Sequence, residues 1–254
     1  MTDKAKILLL DIELAPNNAY VWGRWKQNIP TRHFVSEFYI LCFAAKWLGE
    51  PDIIFKRVYD DDDYLVVAAL FELLHEADIV VAHNGDRFDI PKIIGRGLLH
   101  GYPPPSNFHQ IDTLKVARKK FGFLSNSLKD LCEKLDLPRK GDHEKFKGID
   151  LWIECLKWNE EAWQEMEEYN KQDVVSLEAL YLRMRPYIGN HPNVSRVDGE
   201  HAVCPSCGSD DLQRRGYYTS KSGYRYQRYF CKNCGAWSQA RNSEYNKNVL
   251  KGVV

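Results

Sequence analysis

The chain opens on a continuous apolar run, Lys6 to Leu14, that ends in carboxylates, as expected of a central strand buried on both faces. Tyr39 to Leu48 and Ile53 to Val58 read as two further strands, separated by the turn signal Gly49-Glu50-Pro51. Three strands joined by short turns predict an antiparallel meander. An amphipathic helix over about Tyr64 to Glu76 and a short strand over Asp78 to Ala82 follow. Beyond them the periodicity is helical: Ile90 to Leu99, Thr113 to Phe121, Leu128 to Leu135, Ile149 to Leu156 and Glu160 to Met184. Pro103-Pro104-Pro105 marks a rigid surface loop. Antiparallel strands first, then strands alternating with helices, predict an α/β fold: a mixed sheet covered by helices.

Pro186 to Glu200, with Gly189, Pro192 and Gly199, reads as a linker. The predicted organisation is a large domain over 1–188, a linker over 189–202, a small module over 203–240 and a tail over 241–254. Composition sharpens that division. The formal net charge is zero, yet residues 1–195 carry 25 Lys and Arg against 30 Asp and Glu, while residues 196–254 carry 10 against 5. A basic end on a slightly acidic body suggests that affinity for nucleic acid concentrates in the tail region. No apolar run is long enough for a membrane span, and the N-terminus leads straight into a strand, so a cytoplasmic protein is expected.

The seven cysteines divide at the same place. Cys42, Cys132 and Cys155 are scattered through apolar or helical patterns and read as reduced core thiols. Cys204, Cys207, Cys231 and Cys234 form two Cys-x-x-Cys-Gly pairs with 23 residues between them. Four thiolates in tight turns favour a tetrahedral Zn²⁺, and the segment resembles a zinc ribbon. His201 is a stray ligand at most. Between the pairs, Arg214 to Phe230 interleaves Arg and Lys with tyrosines and reads as a hairpin with Lys221 to Gly223 near its tip. Arg225 and Arg228 are the candidate phosphate contacts there. A protein-docking ribbon is the other reading.

Three groups carry candidate chemistry. Asp11 and Glu13 lie two apart on a strand, so both carboxylates project from one face. Two like charges side by side call for a cation, and hard oxygen ligands select Mg²⁺ or Mn²⁺; a solvated strand end is the alternative. His83-Asn84-Gly85-Asp86-Arg87-Phe88-Asp89 follows the short strand, with Asp89 also a candidate N-cap. Tyr169 and Asp173, four apart, share one helical face.

In this order, D-x-E, N-x-x-x-F-D and Y-x-x-x-D resemble the DEDD 3′→5′ exonucleases, in the tyrosine-bearing (DEDDy) subclass that includes many polymerase proofreading domains. The resemblance spans about residues 6 to 185 and implies a ribonuclease H-like fold. It further implies two divalent metals, Mg²⁺ or Mn²⁺, held by Asp11, Glu13, Asp89 and Asp173, with Tyr169 orienting the attacking water. Asn84 and Phe88 would hold the terminal nucleotide, and Leu14 would wedge against the last base; Phe88 and Leu14 read equally as core.

Asp112 is expected to cap the following helix. Asp60 to Asp63 is expected to be a solvated acidic loop without converging partners. The implied substrate is a single-stranded 3′ end, DNA before RNA. An inactive nucleic-acid adaptor and a structure-specific endonuclease on the same fold are the alternatives.

Overall fold

The computed structural model describes residues 5–138, 145–195 and 202–244. His201, residues 196–200 of the expected linker and residues 245–254 of the expected tail lie outside the described residues. Two compact units emerge, one over Lys6–Tyr181 and one formed by Met1–Ala5 with Leu182–Val254.

The first unit is built on β1 (Ile7–Leu14), β2 (Asn18–Ala19), β3 (Phe34–Ser36), β4 (Ile40–Trp47), β5 (Ile53–Arg57), β6 (Ile79–Ala82) and β7 (His109–Asp112). Its sheet runs β5-β4-β1-β6-β7, with β4 antiparallel to β1 and β5, and with β6 and β7 parallel to β1. The antiparallel trio matches the expected meander, except that a small β2–β3 hairpin is inserted between its first two strands. The order explains the composition of β1. As the central strand it presents Leu8, Leu9, Leu10 and Ile12 to protein on both faces, and all four are buried.

Helices α1 (Tyr64–Glu76), α2 (Asp89–Leu99), α3 (Thr113–Lys120), α4 (Leu128–Lys134), α5 (Asp150–Leu156) and α6 (Glu160–Met184) flank the sheet. The apolar face of α1, with Val66, Val67, Leu70, Phe71 and Leu74, joins one core cluster with Leu8, Leu10, Ile12 and Phe43 from the sheet and Trp163 and Met166 from α6. Gly97 lets α2 approach α1 closely, since a Cβ there would lie 2.0 Å from Phe71 Cζ. Among the described residues, no helix is long and apolar enough to cross a membrane.

The acidic tract before α1 departs from its expected solvated character. Asp63 is fully buried and accepts from the Ile40 backbone N–H at 2.8 Å. Its two oxygens also receive Arg96 Nε at 2.7 Å and Nη2 at 2.6 Å, while His100 Nε2 lies 2.6 Å away. Sequence spacing could not reveal these partners, because they come from α2 and the residue just beyond it, more than 30 positions later. Burial opposes ionisation, but the Arg96, Ile40 and His100 hydrogen bonds outweigh it and hold the Asp63 carboxyl below its ordinary range. Asp60, Asp61 and Asp62 are exposed, as expected.

The second unit holds β8 (Leu212–Thr219), β9 (Arg225–Cys231) and β10 (Trp237–Gln239) in a sheet of order β10-β9-β8. The expected hairpin is β8–β9, its turn closed by Ser220 N–H to Tyr224 O at 2.8 Å. The third strand carries no periodic pattern long enough to read. Part of the expected linker is also ordered: Val194 is buried, accepts from Ala5 N–H and donates to Pro205 O.

Replacing Asp63 by Asn removes the buried charge that Arg96 pairs with and turns one of the two acceptor oxygens into an NH2 donor facing donors. Asp63→Asn is expected to lower unfolding free energy by about 3 kcal/mol, read as a shifted urea midpoint at constant slope.

Candidate active site

Register places the chemistry. The parallel pairing of β1 with β6 sets Leu9 opposite Val81, so β6 ends beside Leu10 and its loop, His83 to Phe88, leaves next to Asp11. The pairing of β6 with β7 sets Ala82 opposite Asp112, so a third strand ends at the same edge. On the other side, a β-bulge falls between Glu13 and Leu14 where β1 meets β4. Such bulges re-aim side chains at strand ends. Three parallel strand ends at one edge is the place where open sheets put ligand sites.

Asp11, Glu13 and Asp173 converge there, each offering an oxygen within 4.8 Å of the others'. Residues 11 and 173 come from a strand and a helix far apart in the chain, so this meeting is a property of the fold. Asp89 is buried beside them, and its Oδ1 accepts from the backbone N–H of Ile12 at 3.2 Å. The expected N-cap role of Asp89 is not what the structure has: Asp89 is the first helical residue of α2, and its side chain is spent on β1. Asp112 does cap its helix, accepting from Lys115 N–H at 3.1 Å, and also holds Asn84 N–H at 3.0 Å.

Two supports escaped the sequence reading. Asn170, fully buried in α6, donates Nδ2 to Asp11 Oδ2 at 2.6 Å and to the Asp11 carbonyl at 3.3 Å. Trp152 of α5 donates Nε1 to Glu13 Oε2 at 3.0 Å, and its ring meets Tyr169 edge-on at 6.1 Å between centroids. A polar residue facing inward one turn from Asp173 is the signal that could have found Asn170. Trp152 has no such mark in the chain.

These neutral donors fix the carboxylates without neutralising them. Burial, followed by repulsion from Glu13, Asp89 and Asp173, pushes Asp11 well above the usual carboxylate range. Burial and Asp173 push Glu13 up to about 8. Burial raises Asp89 to about 7 and Asp173 to about 6. Tyr169 donates to Asp173, and burial next to three carboxylates pushes its phenol above its ordinary value. It is a hydrogen-bond donor here and not a base. Among the described residues no Lys or Arg pairs with the four acids, so a multivalent cation fits the donor set chemically.

The remaining residues of the loop divide. Gly85 is required by a close approach, since a Cβ would lie 2.5 Å from Ala82 Cβ. Asn84 adopts a left-handed φ of 71° and lines a cleft of about 320 Å³ with Arg87, Leu114, Lys115, Arg118 and Lys119. Phe88, weighed equally as core, is instead 38 % exposed, while Leu14 packs partly buried against the core. His83 is held by Thr113 Oγ1 at 2.9 Å and the Asn126 carbonyl at 3.0 Å, a structural role.

In the other unit the four cysteine sulfurs lie within 4.8 Å of one another, with Cys204–Cys234 and Cys207–Cys231 both at 3.7 Å. A tetrahedron with metal–sulfur bonds of about 2.3 Å has sulfur–sulfur edges of about 3.8 Å, far beyond a disulfide. Gly208 and Gly235, at φ 73° and 77°, complete the two turns by donating to the Cys204 and Cys231 carbonyls. Burial opposes ionisation of Cys207, but the Ser209 N–H and Asn233 amide outweigh it and bring the thiol to about 7. Arg225 stacks over Tyr217 at 4.2 Å and Arg228 over Trp237 at 5.6 Å, both guanidinium groups exposed.

The raised carboxyl values set a pH test. Their protonated forms stabilise the metal-free fold fully below about pH 4, the ordinary carboxylate range. That stabilisation is lost as pH rises through about 6 to 8. Addition of Mn²⁺ is therefore expected to raise Tm by about 4 °C or more at pH 8, little at pH 5, and not at all in Asp11→Asn. A shift of equal size at both pH values would count against a cation at this cluster.

Comparison with known proteins agrees with the architecture. A family model described as the RNase_H superfamily matches residues 37–185. That span includes Asp89, Tyr169 and Asp173 and begins after Asp11 and Glu13. No curated protein sequence matches the chain. Among solved structures, the family B DNA polymerase from the hyperthermophilic archaeon Pyrobaculum calidifontis superposes with a TM-score of 0.54 at 15% identity, over 87% of this chain. The chain spans 32% of that polymerase's length, and at such low identity the likeness is one of fold. With its five-stranded mixed sheet, flanking helices and family match over more than half its length, the chain belongs to the RNase_H superfamily.

Proposed function

We propose that the chain is a DEDDy-type, metal-dependent 3′→5′ exonuclease acting on single-stranded ends, DNA before RNA. The observation that carries this reading is the convergence of Asp11, Glu13 and Asp173 beside buried Asp89, with the Tyr169 hydroxyl on Asp173. In it, the four carboxylates hold two divalent cations, Mg²⁺ or Mn²⁺, which when bound acidify a water and neutralise charge on the scissile phosphate. Asn170 and Trp152 keep Asp11 and Glu13 in place as ligands. Tyr169 keeps its single O–H on Asp173, and its oxygen accepts from the attacking water and so orients it. Asn84, Phe88 and Leu14 lie at the same edge and hold the terminal nucleotide. Residues 1–188 form the nuclease domain.

Residues 203–240 form a zinc ribbon in this reading, one structural Zn²⁺ held by Cys204, Cys207, Cys231 and Cys234. Arg225 and Arg228, with their stacked rings, add grip on the phosphate backbone. The 3.7 Å sulfur spacing supports the metal, and the exposed guanidinium groups support nucleic acid over protein as partner.

Labelled linear single strands should release mononucleotides from the 3′ end in Mg²⁺ or Mn²⁺, and a circular single strand should survive. Asp11→Ala and Asp173→Ala are each expected to cost on the order of 10³-fold in rate. Tyr169→Phe should cost about 10²-fold while preserving the Mn²⁺-induced rise in Tm. Cutting of the circle, or full activity in the aspartate variants, would sink the reading. Metal analysis of the purified chain should find one zinc, and Cys207→Ser should lose it along with the folded signature of the ribbon.

A further inference from the structure

The segment that follows Glu13 has an unusual surface. Between Glu13 and Glu37 lie 23 residues without a single Asp or Glu, in a chain with 35 of them. The same stretch contains Arg24, Lys26 and Arg32. It forms the β2–β3 hairpin and its long tip, and the tip turns its aromatic side chains outward: Trp22 is 99% exposed, Trp25 and Tyr20 each 76%. Isolated exposed rings are ordinary, but three within six residues need an occupant.

The stem beneath them is fixed. Ala15 N–H donates to Tyr39 O at 2.9 Å, Tyr20 N–H to His33 O at 2.9 Å, and Phe38 N–H to Asn17 Oδ1 at 2.8 Å. Arg24 lies over the Trp25 ring at 5.1 Å, and Trp25 remains largely exposed beside it. The hairpin rises from the end of β1 and returns into β4 opposite Leu14, so it is rooted at the edge where the carboxylates converge. Rings for base faces, cations for phosphates and no acid to repel them make the chemistry of a single-strand grip.

We infer that the Tyr20–Lys26 tip is a binding arm for single-stranded nucleic acid, stacking unpaired bases on Trp22 and Trp25 while Arg24 and Lys26 meet the backbone. The choice of ligand rests on the nuclease reading. The arm would engage nucleotides beyond the terminal one, so its contribution grows with strand length. Duplex ends would gain little, because their bases have no free faces to offer.

The test uses the full chain carrying Asp11→Asn, so that probes are not shortened, and single strands bearing 5-iodouracil at successive positions from the 3′ end. Irradiation is expected to crosslink an internal position to Trp22 or Trp25, located by peptide mass spectrometry. By fluorescence anisotropy, Trp22→Ala and Trp25→Ala should each raise the Kd for an eight-nucleotide strand about tenfold, and together remove the tightening that longer strands bring. Arg24→Glu with Lys26→Glu should flatten the salt dependence of binding. Crosslinks confined to the ribbon tyrosines, unchanged Kd in the tryptophan variants, or altered self-association in their place would each overturn the inference. The unsubstituted chain separates the two readings: cleavage without crosslinks at the arm overturns only the arm, and crosslinks without cleavage overturn only the nuclease.

Discussion

Carboxylate repulsion at the end of β1 is the constraint around which the large unit is organised. Asp11 and Glu13 are delivered to one face by the strand's alternation, and Asp89 and Asp173 are brought to them by two helices far apart in the chain. Left alone, four acids in one partly dry place would drive those helices away. The structure counters with neutral donors: the Ile12 N–H, the Asn170 amide, the Trp152 indole and the Tyr169 hydroxyl. Each lowers the cost of holding a carboxylate without discharging it. The result is a cluster kept in geometry and kept in want of positive charge.

That arrangement explains which parts of the fold must be rigid. Asn170 and Asp173 lie on α6, and Trp163 and Met166 of the same helix belong to the core cluster beneath β1. A shift of α6 would therefore disturb both the packing and the meeting of the carboxylates. The Asp63 network plays a similar part where β4 begins opposite Leu14, pinning the approach to α1 to β4 through the Ile40 N–H and to α2 through Arg96. A buried ion pair is costly to desolvate, so its value here is positional: it fixes the register of two helices against the sheet.

Much of this was legible in the chain, for identifiable reasons. Continuous apolar runs marked β1, β4 and β5, and helical periodicity marked α1 to α6 with bounds close to those observed. The acids stood out because D-x-E on a strand and Y-x-x-x-D on a helix are local geometries. What stayed hidden was non-local. Asp63 resembled its exposed neighbours until Arg96 and His100 closed on it, and Trp152 resembled any amphipathic helix residue until Glu13 met its indole. β7 and β10, at four and three residues, are too short to show a period at all. The rings and cations after Glu13 stand in the chain too, but an aromatic run reads as core as readily as surface, and only the structure shows Trp22 and Trp25 turned outward.

The two clusters would depend on a cation in different ways. The carboxylate cluster has an alternative to metal: its acids can keep their protons, which is what values of about 6 to 8 describe, and a large core holds the helices meanwhile. Its fold therefore survives without the ion and its charge state follows pH. The cysteine cluster has no such reserve. Its core cluster consists of Cys204, Cys231 and Ala236, with Cys207, Leu212 and Cys234 packed on them, so the four cysteines are themselves most of that cluster. Three short strands around so little apolar surface cannot offset their own ordering entropy. A metal bound there supplies folding free energy, whereas one bound at the carboxylates supplies chemistry to a fold already made.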